Sequence, residues 1–147
     1  MKKQYKTIRE WEIFEDMNNL DLQDDLMKQY GNTSPLNYLL SLNFNDNVKL
    51  ELPEGMPPYN RDEVTHEDFQ GALVHSIARL KNCLPGVKMK KMDKERIFIQ
   101  ILESIPPKSA DILVFCKDKA LHELFPNITK ELVEKYHPHL VGKKNEA

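Results

Sequence analysis

The fold is decided by residues 92–141, MDKERIFIQILESIPPKSADILVFCKDKALHELFPNITKELVEKYHPHLV. Apolar residues recur there at helical spacing in three short segments, and Pro106-Pro107, Pro126 and Pro138 stand at the ends of these segments. Proline suits the first turn of a helix and is disfavoured in its interior, so this punctuation is typical of short helices with tight connections. The stretch predicts a compact, all-helical module.

Two helices of this stretch are expected to form the centre of the core. Pro106-Pro107 ends the first helix, and Pro107 can begin the second, which is apolar almost all round and is therefore predicted to lie centrally. We expect four side chains to be almost fully buried: Ile101, Leu102, Leu113 and Val114. A last helix, capped by Asn127 or Thr129, turns Leu132, Val133 and Tyr136 inward.

The first part of the chain predicts three further helices. Residues 7–30 read as two short helices separated at Asn18-Asn19, and Gly31 stands where a left-handed residue would end the second. Ser34 is expected to cap a third helix, with Pro35 at its first position.

Residues 45–61, NDNVKLELPEGMPPYNR, interrupt this helical pattern. Val48, Leu50 and Leu52 alternate with polar residues, which predicts extended backbone, and the prolines that follow favour a stiff loop. We interpret the segment as extended structure packed along helices, because the sequence offers it no strand partner. Thr65 then begins a predicted helix whose apolar stripe, from Phe69 to Leu84, ends at Pro85-Gly86.

Length and composition favour a single mainly α-helical domain of six or seven short helices over residues 1–147, with one extended Pro-rich segment crossing it. No apolar run approaches the roughly 20 residues that span a bilayer, and the N-terminus becomes acidic before any signal-like apolar segment. We therefore expect a cytoplasmic protein without a membrane partner. Cys83 and Cys116 lie in apolar patterns and are predicted to be buried free thiols.

Charge is distributed unevenly along the chain. Residues 1–77 hold 7 Lys/Arg and 14 Asp/Glu, a net of −7, whereas residues 78–147 hold 14 Lys/Arg and 9 Asp/Glu, a net of +5. The protein could therefore present an acidic and a basic face, or its two halves could dock and neutralise each other.

Four segments in order resemble a family of small uncharacterised proteins of T4-like tailed bacteriophages. They are LPEGMPPY (52–59), RIFIQILESIPPKSADILVFCKDKAL (96–121), NITKELV (127–133) and KYHPHLV (135–141). The family-like region is 34–141, which leaves 1–33 outside the resemblance and 142–147 as a polar tail. The resemblance implies a phage protein made in the cytoplasm of an infected bacterium, with packaging in the virion left open. It implies no activity or cofactor.

Sites for chemistry are not evident in the sequence. His137 and His139 are close, but the two cysteines lie 33 residues apart and the ligand spacing of a zinc site is missing. Cys116 and His122 are poorly spaced for a nucleophile and its base, and the apolar setting of Cys116 favours an inert thiol. Phosphate-binding loops of the G-x-x-x-x-G-K-[ST] or G-x-G-x-x-G type are absent. We predict no enzyme, no catalytic residue, no metal and no cofactor.

Two surfaces are candidates for binding. The first is the LPEGMPPY loop, whose stiff backbone would lose little entropy on binding a protein; its candidate residues are Leu52, Met56, Pro57, Pro58 and Tyr59. These side chains could instead pack onto the helical core. The second is a basic run suited to phosphates, comprising Lys88, Lys90, Lys91, Lys94 and Arg96. That run could equally be a solvated connector.

The leading hypothesis is a non-enzymatic phage accessory protein that binds another protein, whether host machinery, phage machinery or a virion component. The alternative is a nucleic-acid-binding accessory protein that uses the basic C-terminal half.

Overall fold

A computed structural model describes residues 10–59 and 73–142. Within these ranges the chain folds into seven α-helices and no strand, which confirms the predicted mainly α class. The helices are α1 (Glu10–Met17), α2 (Gln23–Tyr30), α3 (Leu36–Phe44), α4 (Ile77–Leu80), α5 (Lys91–Ser104), α6 (Pro107–Lys117) and α7 (Lys130–Tyr136). The described residues also contain four short 3-10 turns: Leu73–His75, Lys81–Cys83 and Leu121–Glu123 between helices, and Pro138–Val141 after α7.

Helix α6 is the centre of the fold. It packs against α1, α3 and α5, and eight of its eleven residues are buried. The side chains of Leu113 and Cys116 are fully buried, and Ile112 on the flank is only 2% exposed. A helix that is apolar almost all round can be stable only with neighbours on several sides, so the central position follows from the sequence.

The double proline sets the junction between α5 and α6. Helix α5 ends at Ser104, and Pro107 occupies the first turn of α6, where its missing N–H costs nothing. The predicted core residues are buried as expected, with exposures of 0% for Ile101, 1% for Leu102, 0% for Leu113 and 3% for Val114.

The C-terminal elements close the core against the first helices. Thr129 caps α7, since its side-chain oxygen accepts a hydrogen bond from the Leu132 amide at 3.2 Å. Helix α7 packs on α2, and the 3-10 turn Pro138–Val141 packs on α3. His137 Nε2 lies 2.8 Å from the Met27 carbonyl, so Nε2 carries a proton and donates, because a carbonyl only accepts.

The backbone conformation of Gly31 differs from the predicted left-handed one. Its φ is −57°, so it continues the helical conformation instead of adopting the left-handed one. The glycine is needed for space: a Cβ would collide with Met27 and lie 2.9 Å from Cδ2 of His137. The close approach of α2 and the residues after α7 therefore excludes a side chain here.

Two other boundary predictions were wrong. Helix α3 begins after Pro35, at Leu36, and Ser34 provides no capping hydrogen bond; the carbonyls of Thr33 and Pro35 accept the first helical amides instead. Residues 73–84 are a 3-10 turn, a single turn of α-helix and another 3-10 turn, so the predicted stripe does not continue to Leu84, which is 37% exposed. The Thr65 start and Phe69 lie outside the described residues.

Glu10 is a buried carboxylate at the start of α1. Its Oε1 forms no hydrogen bond, the one such buried side-chain atom in the part of the chain that the structure describes. Burial raises the pKa of Glu10, although a hydrogen bond from the Ser109 side chain partly opposes this shift. The ionised form is therefore less stable in the folded protein than in the unfolded chain.

The central position of α6 predicts a large effect of truncating Leu113. Leu113→Ala should lower the free energy of unfolding by roughly 2–5 kcal/mol, because a cavity would form in a packed core. Urea denaturation measures this change. Leu20→Ala, at a residue 64% exposed, is the control and should change stability by less than about 0.5 kcal/mol. Equal effects of the two substitutions would contradict the assigned core.

Glu10→Gln should stabilise the protein at pH 7, because the amide removes the cost of burying a charge. A raised folded-state pKa means that the folded protein binds the proton more tightly, so Glu10 weakens stability as pH rises above 4.5. The midpoint of thermal unfolding should rise by about 2 °C or more at pH 7, and the gain should vanish near pH 4. A gain that is the same at both pH values would show that charge is not the cause.

Candidate protein-binding surface

The Pro-rich loop is held by a buried ammonium group. Lys117, at the C-terminal end of α6, is only 3% exposed. Its Nζ donates hydrogen bonds to the carbonyls of Pro53 at 2.7 Å and Gly55 at 3.2 Å, and to Oδ1 of Asp118 at 2.6 Å. Three acceptors saturate the three N–H bonds of a lysine, so the charge is fully satisfied without water.

Asp118 binds the same loop from the other side. Its Oδ2 accepts a hydrogen bond from the Gly55 amide at 2.9 Å, while its Oδ1 faces Lys117. The φ of Gly55 is +92°, a conformation that glycine adopts without the steric cost borne by other residues. Both the N–H and the C=O of Gly55 are thus fixed by neighbouring side chains of α6 and its C-terminus.

Lys119 holds the beginning of the extended segment. It has a positive φ of 57°, and its Nζ donates to three carbonyls: Leu42 at 2.8 Å, Asn45 at 3.0 Å and Val48 at 2.9 Å. Leu42 is in the last turn of α3, so the ammonium also faces the negative end of that helix dipole. Burial lowers the pKa of Lys119, and Asp46 partly opposes this effect.

The LPEGMPPY loop, held by these contacts, has both half-buried and exposed apolar residues. Leu52 and Tyr59 are half-buried against the core, as the core-packing alternative predicts. Met56 is 46% exposed, Pro58 is exposed, and Pro57 between them is half-buried. The tip of the loop, Met56 to Pro58, therefore presents the accessible apolar surface.

The basic run is divided by the fold. Lys94 is only 1% exposed, and its Nζ donates to the Leu84 carbonyl at 2.7 Å and to Glu51 at 3.1 Å. A buried lysine with these partners cannot reach a phosphate. The remaining members of the run are exposed: Lys88, Lys90, Lys91 and Arg96.

The cysteines lie deep in the core as free thiols, as predicted. Burial raises the pKa of both Cys83 and Cys116, so the thiolate is disfavoured at neutral pH. Burial and these two thiols also raise the pKa of Tyr38 to about 12. His122, whose spacing from Cys116 already disfavours a nucleophile–base pair, is exposed, while Cys116 is fully buried.

The histidines near the C-terminus have structural contacts. His137 binds the Met27 carbonyl, and His139 Nε2 lies 2.9 Å from Oδ1 of Asn32. In the ranges 10–59 and 73–142, no group of three or more His, Cys, Asp or Glu side chains is arranged to hold a metal ion. Across the same ranges, no helix is long and apolar enough to cross a membrane.

The roles of Lys117, Asp118 and Lys119 were not predicted. Periodicity places a charged triplet at the end of a helix on the surface, whereas Lys117 is buried and all three side chains bind backbone groups of residues 42–55. No local pattern in the sequence signals these contacts.

A model of a family of unknown function (DUF6433) matches residues 17–123, so the chain belongs to that family. The matched region includes α2, part of the segment that the sequence resemblance left out, and it contains both the loop and the KDK triplet. It ends before NITKELV and KYHPHLV. No curated protein and no solved structure matches the chain significantly.

Replacing Lys117 by Met should destabilise the protein by roughly 3–5 kcal/mol, because the partly buried Asp118 and the carbonyls of Pro53 and Gly55 would lose the cation that binds them. Lys108→Met is a matched control: its Nζ pairs with Glu15 at 3.3 Å, and the lysine is 54% exposed. An exposed pair contributes at most about 1 kcal/mol. Urea denaturation of both variants compares the two losses, and losses of similar size would mean that Lys117 does not hold the loop.

Proposed function

We propose that the protein is a non-enzymatic phage accessory protein that binds another protein through its LPEGMPPY loop. It would act in the cytoplasm of an infected bacterium or be packaged in the virion. The partner would be host machinery, phage machinery or a virion component. The phage context rests on the sequence resemblance described above.

The observation that carries this proposal is an exposed methionine on an immobilised loop. Met56 is 46% exposed and follows Gly55, whose amide and carbonyl bind Asp118 and Lys117. A binding segment that is already ordered loses little conformational entropy in the complex, and methionine adapts its shape to apolar partner surfaces.

The proline pair extends this surface. Pro57 and Pro58 have no N–H, so a partner in contact with them does not have to desolvate backbone donors there. The exposed ring of Pro58 and the side chain of Met56 offer apolar contact, whereas Leu52 and Tyr59 anchor the two ends of the loop on the core. The recognised features are therefore the tip side chains and not the whole loop.

Met56→Glu should abolish recovery of the partner, because the tip would carry a charge into an apolar interface. The measurement is affinity capture from infected cells followed by mass spectrometry. The fold should persist, with a thermal midpoint within about 3 °C of the wild type, since an exposed side chain contributes little to stability.

Leu20→Glu is the matched control, because Leu20 is 64% exposed and belongs to the turn between α1 and α2. It adds the same charge on another surface and should leave partner recovery unchanged. Partner recovery that survives Met56→Glu, or that is lost equally with Leu20→Glu, would refute binding through the loop.

A further inference from the structure

A second surface of different chemistry lies at the amino-terminal end of α5. Residues 79–96 contain seven Lys/Arg and two Asp/Glu, a net charge of +5. The whole chain has a net charge of −2, so all other residues together carry −7. Positive charge is thus concentrated in an 18-residue stretch of an otherwise acidic protein.

The fold fixes this stretch against α5. Cys83 Sγ lies 3.5 Å from the Lys94 carbonyl, and Lys94 Nζ returns to the Leu84 carbonyl at 2.7 Å. Arg79 Nη2 donates to Oε1 of Gln100 at 2.8 Å, which joins α4 to the middle of α5. The connector between these elements is therefore anchored at both ends, which limits the freedom of its charged side chains.

Six cations of this stretch face solvent: Arg79, Lys81, Lys88, Lys90, Lys91 and Arg96. Three acidic residues lie near these cations: Glu51, Asp93 and Glu95. Asp93 pairs with Arg96 at 3.6 Å, and Glu51 pairs with the buried Lys94. Within the described ranges, Lys88, Lys90 and Lys91 form no ion pair. Their charges are available to an anionic ligand.

A groove adjoins these cations on the exposed side of α5. It is an open depression with a volume of about 430 Å³, and its described lining residues all belong to α5. Its described lining combines apolar, amide and charged side chains: Met92, Glu95, Arg96, Ile99, Gln100 and Glu103. Met92 is 69% exposed at its edge. Such a lining offers an apolar surface and a guanidinium plane for a flat base, and carboxylates that can accept hydrogen bonds from base amino groups.

We propose that this surface binds single-stranded nucleic acid. The phosphates lie on Lys88, Lys90 and Lys91, and an unstacked base enters the groove beside Met92 and Arg96. An acidic peptide fits less well, because Glu95 and Glu103 repel carboxylates in the groove. A duplex has no free base to place there. The surface meets the Pro-rich loop through the Lys94–Glu51 pair, so a strand and a protein partner would bind side by side.

Fluorescence anisotropy with a labelled, mixed-sequence DNA strand of about 20 nucleotides tests the proposal. At about 50 mM salt, Lys88→Gln, Lys90→Gln and Lys91→Gln together should weaken binding at least tenfold. The slope of log affinity against log salt should fall by about 2, because each phosphate contact on a single strand contributes about 0.7. Circular dichroism checks that the variant remains folded.

The charge-matched control replaces three exposed lysines outside the surface: Lys28, Lys130 and Lys135, each by Gln. It should bind the strand within about twofold of the wild type. Equal weakening by both triple variants would show that overall charge explains the effect, and this would overturn the proposal. Failure of the wild-type protein to bind the strand at about 50 mM salt would also overturn it.

Met92→Ala separates base recognition from attraction to phosphate, because it removes apolar surface without changing the net charge. It should weaken binding of the DNA strand by more than about threefold while leaving the binding of inorganic polyphosphate within about twofold. The duplex of the same sequence should bind more weakly than the strand. Equal binding of strand and duplex, or equal competition by a poly-glutamate peptide, would contradict a single-strand site. Met56→Glu should leave strand binding unchanged, so this surface and the loop are tested independently.

Discussion

Lysine ammonium groups hold the irregular segment 45–59 against the helices. A segment rich in proline cannot pair its own carbonyls in a helix or sheet, and a buried carbonyl without a donor is costly. Two lysines supply donors to four carbonyls of residues 45–59: Lys119 binds those of Asn45 and Val48, and Lys117 binds those of Pro53 and Gly55. Lys94 binds the segment through the Glu51 carboxylate, and its other acceptor is the Leu84 carbonyl.

This arrangement explains how helices so short can carry a stiff surface loop. Lys117 and Asp118 bind the loop directly from the end of the central helix, so the position of the loop follows that of α6. The buried charges are tolerated because each has several partners, which offset the cost of desolvation. The exposed tip at Met56 is therefore held in place by the central helix α6.

The charge asymmetry of the sequence has two structural outcomes. Some opposite charges of the two halves meet, as in the pairs Lys108–Glu15 at 3.3 Å and Lys135–Asp24 at 3.8 Å. These pairs are exposed and add little stability. Most cations of residues 79–96 form no such pair with the residues that the structure describes. Their uncompensated positive charge is what the proposed nucleic-acid surface offers to phosphates.

Most of the helices, the junction at Pro106-Pro107 and the core could be predicted from the sequence, whereas the boundary at Pro35 and the helix expected up to Leu84 were wrong. Burial of Leu113 and Val114 followed from local periodicity, because a helix places residues of fixed spacing on one face. Tertiary structure alone decided the roles of Gly31, Lys94, Lys117 and Lys119. The lysines bind carbonyls up to 77 residues away in the chain, and Gly31 makes room for His137. Local patterns cannot reveal such roles, since they depend on which distant groups the packing of the helices leaves without a partner or without space.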